Sequence, residues 1–258
     1  MEVAVVLAGG PPDKLVAGIA NAPNKAFLPI GGRTLVERTM WPLVRAARVR
    51  RLIAVAPAAA HSLPALAMAD EIRADGPSIV DSMRSGLAGL DPDRLVLVAA
   101  ADLPVLTVEA VDEFIDLAEG SGADAVYACV EKQTHLARYP QVPHTWAKLR
   151  DGTFCGGGCI ALRPRAFAAL ERFLDRLGAA RKNPVRLAAL FGWDFLLRYP
   201  FGMVSIADLE RRASAALGTR VAAAICTRPE IAVNVDRPSD VALAERLVRK
   251  QARSSASG

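Results

Sequence analysis

Short apolar runs alternate with amphipathic stretches along this chain, and the alternation begins at once. Val3-Ala-Val-Val-Leu7 is a continuous β-rich run, the pattern of a strand buried on both faces. Ala8-Gly9-Gly10 follows and permits a sharp backbone turn. Residues 11–33, with their Pro, Gly and Asn, read as a long loop. Thr34 is placed to cap a helix running through Glu37 and Leu43 to Ala47. A second strand is predicted at 52–55, helices at 63–72 and 82–90, and a third strand at 95–99, just before Asp102. Thr107 caps another helix through Ala118, stopped by Gly120 and Gly122, and a fourth strand follows at 125–130. Strands and helices in this order imply an α/β fold, with a mostly parallel sheet and helices on both faces.

The pattern changes in the second half. Residues 145–150 and 159–162 read as two strands around a glycine-rich turn, and 164–177 as a helix. Residues 183–217 read as all-helical, 221–226 as a strand, and 231–235 as an extension of the sheet edge. Pro238 suits the first turn of a last helix reaching about Arg249. There is no internal repeat and no low-complexity linker. The expectation is one domain over 1–253, with a helical elaboration at about 180–217 and a floppy tail at 254–258.

Composition narrows the picture only modestly. Of 258 residues, 52% are apolar, enough for a substantial core. The net charge of +5 is a mild excess that suits anionic small molecules, and no long basic run is present. Arg246, Arg249, Lys250 and Arg253 crowd the last helix, as the macrodipole favours in a solvated C-terminus, so no nucleic-acid partner is expected. Cys129, Cys155, Cys159 and Cys226 do not form a disulfide framework. Cys155 and Cys159 lack Cys-x-x-Cys spacing, and the scattered His61, His135 and His144 supply no matching partner, so no zinc site is expected. His135 and His144 are expected in a surface loop. No secretory signal and no apolar span of about 20 residues is visible, so the expectation is a reduced, cytoplasmic, soluble protein with no membrane partner. The apolar stretch 187–209 is expected to pack as helices on the sheet, with a homodimer surface or a lid as alternatives.

Three segments carry candidate chemistry. The turn after the first strand, Leu7-Ala8-Gly9-Gly10, would let backbone N–H groups approach phosphate oxygens, and Lys14 and Lys25 follow in the same loop. It is not a Gly-x-Gly-x-x-Gly fingerprint. The second segment, Ala99-Ala-Ala-Asp102-Leu-Pro104, puts a carboxylate just past the C-terminal end of a strand, where open α/β sheets bind ligands. Such a carboxylate is a hard oxygen donor suited to Mg²⁺; a simple turn cap is the plainer reading. The third, Val233-Asn234-Val235-Asp236-Arg237-Pro238, again places Asp between an apolar run and a helix, with Asn234 and Asp236 on one face.

Taken together and in order, Leu-Ala-Gly-Gly10, Lys25-Ala-Phe-Leu-Pro-Ile-Gly-Gly32, Asp102-Leu-Pro and Asn234-Val-Asp-Arg-Pro-Ser-Asp240 resemble the MobA-like NTP transferases. The likeness spans Val3 to about Leu247. It implies a three-layer, Rossmann-like nucleotide-diphospho-sugar transferase fold. It also implies Mg²⁺-dependent transfer of an NMP from an NTP to a small, phosphorylated acceptor, with release of pyrophosphate. The resemblance implies nucleotide binding by Leu7, Ala8, Gly9, Gly10 and Lys25, with Ser82 and Gly86 near the base. Lys25, assisted by Lys14, would neutralise the phosphates, Asp102 and Asp236 would hold Mg²⁺, and Gly157, Gly158 and Asn234 would face the acceptor. Lys14-Leu15 stands where the family has Arg-Met, and Gly158 where it has Asn.

Two other classes compete. A nucleotide-sugar glycosyltransferase would show Asp-x-Asp, where this chain has Ala100-Ala101-Asp102. A non-catalytic nucleotide-binding regulator would fit the changes at Lys14 and Gly158, but not the retention of Lys25, Asp102 and Asp236.

Overall fold

In the computed structural model, residues 1–180 and 192–256 are described. One mixed sheet organises them. Its strands are β1 (Val3–Leu7), β4 (Arg51–Ala56), β5 (Glu71–Ala74), β6 (Val96–Ala100), β7 (Ala125–Glu131), β8 (Ala147–Leu149), β9 (Gly152–Leu162) and β10 (Val221–Cys226). Their order is β10-β7-β9-β6-β1-β4-β5, with β8 paired to β9. Both neighbours of β1 run parallel to it, whereas β9 runs antiparallel to β6 and β7. A two-stranded hairpin, β2 (Pro29–Ile30) with β3 (Arg33–Thr34), stands apart.

The helices are α1 (Leu35–Leu43), α2 (Ile79–Leu87), α3 (Val108–Ser121), α4 (Lys132–Arg138), α5 (Phe167–Ala180), α6 (Trp193–Arg198), α7 (Ile206–Leu217) and α8 (Pro238–Ala256). Alternation along β1 explains the layers. Ala4 and Val6 face a core with Met40 and Leu43 of α1 and Phe114 and Ile115 of α3. Val5 faces the opposite core, with Met83 and Leu87 of α2 and Phe167 of α5. A sheet with both faces covered needs strands apolar at every position, as β1 is. The result is the expected three-layer Rossmann-like α/β fold. A third cluster joins distant segments: Leu28, Ile30, Val105, Val233, Val235, Leu243 and Val248 pack α8 against the hairpin and the loop after β6.

Several expectations need correction. Residues 63–72 are not a helix: Pro64 starts a single 3₁₀ turn, Pro64–Leu66, and Ile72 pairs with Ala54 in β5. The free edge of β4 offered ladder hydrogen bonds that outweighed a weak helical pattern. The 82–90 helix starts earlier, at Ile79, because the Ser78 side chain caps it by accepting from Asp81 N. Gly156, Gly157 and Gly158 form no turn but lie within β9, whose ladder with β7 shifts register between Tyr127 and Cys129. Residues 231–235 add no strand; a 3₁₀ turn at Pro229–Ala232 leads into an extended segment tied by Val235 N to Asp102 O at 3.2 Å. The loop 11–33 contains two 3₁₀ turns, Lys14–Val16 and Lys25–Phe27, as well as part of the hairpin. α8 continues past Arg249 to Ala256, into the stretch expected to be a tail.

Within the apolar stretch 187–209, Phe195 and Val204 are buried, but Leu197, Phe201 and Met203 are mostly exposed. The part of the expected elaboration at 181–191, and tail residues 257–258, lie outside the described residues. No helix among the described residues is long and apolar enough to cross a membrane.

The hairpin and α1 form one unit. Thr34 Oγ1 accepts from Glu37 N at 3.3 Å, and Glu37 Oε2 accepts from Thr34 N at 2.7 Å, a reciprocal capping box. Arg38 of α1 donates to Ile30 O and Gly31 O at 2.6 and 2.8 Å, clamping the hairpin tip. Thr34→Ala is expected to lower stability by about 1 kcal/mol, the usual value of an N-cap side chain. Urea unfolding with an unchanged m-value would show it; an unchanged midpoint would remove the cap from this account.

Candidate active site

Parallel strands deliver their loops to one edge. Leu7 is in register with Ala100, so the glycine turn after β1 and the segment carrying Asp102 leave the sheet side by side. Gly10 takes φ = 120°, a conformation that disfavours any side chain. Its N–H donates to Asp75 Oδ2 at 2.9 Å, so the turn's amide already holds an anionic oxygen. Gly9 approaches Asp75 so closely that a Cβ would lie 2.5 Å from Asp75 Cβ.

The lysine loop is fastened to this turn by Asn24. That side chain is buried; its Nδ2 donates to Ala8 O at 2.9 Å and Gly10 O at 3.3 Å, and its Oδ1 accepts from Ala26 N at 2.9 Å. Asn24 thereby caps the turn that presents Lys25. Lys25 Nζ lies 2.7 Å from Asp102 Oδ2 and 2.5 Å from Asp236 Oδ1, and donates to Val235 O at 3.1 Å. Asp240 holds the Asp236 end by accepting from Asp236 N and Arg237 N at 3.1 and 2.8 Å. The Asn234 amide donates to Asp236 Oδ2.

The charges reinforce one another. Burial opposes the Lys25 charge, but the Asp102 and Asp236 carboxylates outweigh it and hold the ammonium above its ordinary pKa. Burial pushes the Asp102 carboxyl above its usual range; Lys25 pulls it back, and Asp236 adds repulsion. Unit charges about 2.7 Å apart at an effective dielectric near 20 attract by roughly 6 kcal/mol, and desolvation takes back several kcal/mol per buried ion. The net stabilisation is therefore small, and the effect of the arrangement is to place charge.

Two cavities flank this trio. One, of about 620 Å³, is lined by Leu7, Gly9, Gly10, Asn24, Lys25, Ser82 and Asp102 among others. The other, of about 470 Å³, is lined by Asp102, Asn234, Asp236, Arg237, His144 and Cys155 among others. Asp102, Tyr127, Gly157 and Gly158 border both. The cleft is thus a long groove with a carboxylate–ammonium cluster at its waist.

Most of the residues singled out in the sequence meet here, but three stand elsewhere or act otherwise. Lys14 is exposed and does not line the groove, because Asp13 caps its turn by accepting from Leu15 N at 2.8 Å. Gly86 lies in the contact of α2 with the sheet, where a Cβ would meet Val5 Cγ1 at 2.6 Å. Ala8 is fully buried and contributes its carbonyl to Asn24. Ser82 lines the groove while its hydroxyl accepts from Gly76 N at 3.2 Å. At Gly158 a Cβ would lie 2.6 Å from Leu103, and at Gly156 2.1 Å from the Tyr127 hydroxyl, so packing explains the absence of side chains there. Asn24 and Asp75 escaped the sequence reading, and Asp240 stood in its last motif without a role. Asn24 had a local signal, an Asn able to turn the chain just before the lysine; Asp75 had none, since only the pairing of β5 with β4 brings it to the glycines.

The surface-loop expectation fails for His135 but holds in part for His144, which lies in the loop after α4, half-buried. His135 sits in α4, fully buried, with its ring 4.3 Å from that of His144 at an interplanar angle of 87°. Donor atoms of His135, His144 and Cys155 lie within 4.8 Å of one another. Chain folding, not spacing, supplies the partners that Cys155 lacked. Burial, with a smaller effect of His144, lowers the His135 pKa to about 4. Burial raises the Cys155 thiol to about 11.

This fold and groove define an α/β domain of the nucleotidyltransferase kind. The profile of the MobA-like NTP transferase domain matches residues 4–190, and the chain belongs to that family. It is 31% identical over 128 residues to the 2-C-methyl-D-erythritol 4-phosphate cytidylyltransferase of Cronobacter sakazakii (strain ATCC BAA-894). That match takes in 47% of this chain and 54% of the enzyme, so the chain spans about half the length of this curated relative. A hypothetical transferase of Thermus thermophilus superposes with a TM-score of 0.81 at 33% identity, over 93% of this chain and 99% of that one. The 2-C-methyl-D-erythritol 4-phosphate cytidylyltransferase of Thermus thermophilus shares the fold, with a TM-score of 0.53 at 20% identity over 96% of this chain and 100% of that one.

The lowered His135 pKa has a definite sign in stability. The folded chain resists protonation that the unfolded chain accepts near pH 6.5, so stability present above 6.5 is lost as pH falls toward about 4. In metal-free buffer, His135→Phe should show a shallower loss of stability than the wild type between those pH values. Urea titrations at stepped pH check this; parallel curves would reject it.

Proposed function

We propose that this chain is a Mg²⁺-dependent nucleotidyltransferase that moves an NMP from an NTP to a small phosphorylated acceptor. The observation that carries the reading is the Lys25 ammonium held between Asp102 and Asp236 where two cavities meet. The donor would occupy the cavity bordered by the glycine turn, and the acceptor the one bordered by Asn234. The name of the Cronobacter relative, a cytidylyltransferase acting on a sugar-alcohol phosphate, makes CTP the first donor to try.

In this reading an acceptor phosphate oxygen attacks the α-phosphorus in line, a new P–O bond forms, and the α–β bond breaks to release pyrophosphate. A phosphate acceptor is already ionised at neutral pH, so no general base is required. Positioning and charge neutralisation then carry the catalysis. Lys25 would turn from the carboxylates to the phosphates, offsetting the charge that grows on the bridging and equatorial oxygens. Backbone donors of the Gly9-Gly10 turn would take the oxygens, in place of the Asp75 carboxylate.

Asp102 and Asp236 fit a magnesium ion. Both are hard oxygen donors, and they already converge on a single cation, for which the ammonium is a stand-in. Asp102 and Asp236 would hold the ion, which would supply Lewis-acid charge neutralisation beside that of Lys25. Asn234, through its bond to Asp236, would keep the second carboxylate turned into the groove.

Incubation with each NTP, with and without Mg²⁺, tests the donor half. A nucleotide at about 100 times its Kd should stabilise the protein by about 2.7 kcal/mol, only with Mg²⁺, and less in Asp102→Asn. Absence of any shift would count against the reading. For the chemistry, Asp102→Asn and Lys25→Met should each slow pyrophosphate release by roughly 100-fold or more once an acceptor is found. Near-wild-type rates in both would remove these residues from the mechanism.

A further inference from the structure

A second constellation lies on the acceptor side of the groove, and the transferase reading makes no use of it. Three elements contribute: His135 from α4, His144 from the loop that follows, and Cys155 from β9. We propose that His135, His144 and Cys155 form a site for a borderline divalent transition-metal ion, of which Zn²⁺ is the type, separate from the carboxylate pair.

Geometry is the first support. One donor atom from each residue falls within 4.8 Å of the others. Bonds of about 2.0 Å to imidazole and 2.3 Å to thiolate place neighbouring donors about 3.3–3.5 Å apart around a tetrahedral ion, within reach of small side-chain rotations. The second support is independent. His135 is entirely buried, yet neither of its ring nitrogens has a hydrogen-bond partner among the described residues. The Nε2 of His144 is buried and unpartnered too. Buried polar atoms are ordinarily satisfied, so orphaned nitrogens on both histidines of one cluster point to a missing partner. Cys155 Sγ makes only a weak contact, 3.7 Å to Val130 O. Ring packing alone does not account for this: Trp146 holds both imidazoles edge-on, with centroids 5.8 and 5.5 Å away, but offers their nitrogens nothing.

The donor set decides the ion. Two imidazoles and a thiolate favour Zn²⁺ and its neighbours, whereas the oxygen pair Asp102 and Asp236 suits Mg²⁺, so the two sites sort different cations. On binding, the ion takes the thiolate and the Cys155 proton passes to solvent. Three protein ligands leave a fourth position for water, on the side of the cavity that His144 and Cys155 line.

Cobalt(II) reports on this site directly. The full chain is stripped with chelator, reduced with a phosphine, and titrated with Co²⁺ in excess Mg²⁺. One equivalent should produce visible bands of four-coordinate cobalt and a near-ultraviolet thiolate-to-cobalt charge-transfer band, both displaced by Zn²⁺. Cys155→Ser should abolish the charge-transfer band, His144→Ala should weaken binding at least tenfold, and Asp102→Asn should leave both unchanged. Absence of the band at one equivalent, its survival in Cys155→Ser, or its loss in Asp102→Asn would overturn the proposal. Should either cluster variant fail to fold, X-ray absorption of Zn²⁺-loaded wild type decides: one sulfur with imidazole nitrogens is expected, and a sulfur-free shell refutes the site. The inference does not depend on the transferase reading, and neither outcome bears on nucleotide binding.

Discussion

One cation between two carboxylates organises the rest of this molecule. Lys25, Asp102 and Asp236 come from the beginning, middle and end of the chain, and they meet within ordinary ion-pair distance. Holding like charges this close demands a rigid frame on every side. Asp102 gets its frame from β6, buried against β1. Lys25 gets it from Asn24, which ties its turn to the glycine loop. Asp236 gets it from Asp240 and from α8, whose Leu243 and Val248 pack into the cluster that also holds Leu28 and Ile30 of the lysine loop. That cluster is the mechanical link between the chain's two ends.

The same constraint shapes the groove. With the ions at the waist, the space on either side becomes two cavities of different character. One is bordered by the glycine turn and by apolar side chains such as Ile79, Met83 and Leu170, the other by polar side chains with His144 and Cys155. Glycines in β9 let Leu103 and Tyr127 come close without collision.

Much of the fold was legible because it depends on local signals. β1, β4, β6, β7 and β10 appear as apolar runs, and Thr34 and Thr107 cap helices where the sequence placed them. The errors fall where a neighbour decided. Residues 71–74 became β5 because β4 had an open edge. Residues 156–158 stayed extended because β7 pairs with both sides of them. Residues 231–235 bond to the Asp102 carbonyl at Val235 instead of extending the sheet.

The sequence by itself determined the layers, the order of the glycine, lysine and aspartate segments, and through them the family. Those features rest on residue type and short-range spacing, which a linear pattern preserves. Only the tertiary structure decided which charges meet. Lys14 and Lys25 looked alike on the chain, yet one is turned to solvent by the Asp13 cap and the other is drawn between two carboxylates. Asp75 reaches the glycine turn only across the β4–β5 ladder, and His135 and His144 reach Cys155 only because α4 folds back over β9. Contacts between residues far apart in sequence depend on the path of the backbone, and no local pattern encodes that path.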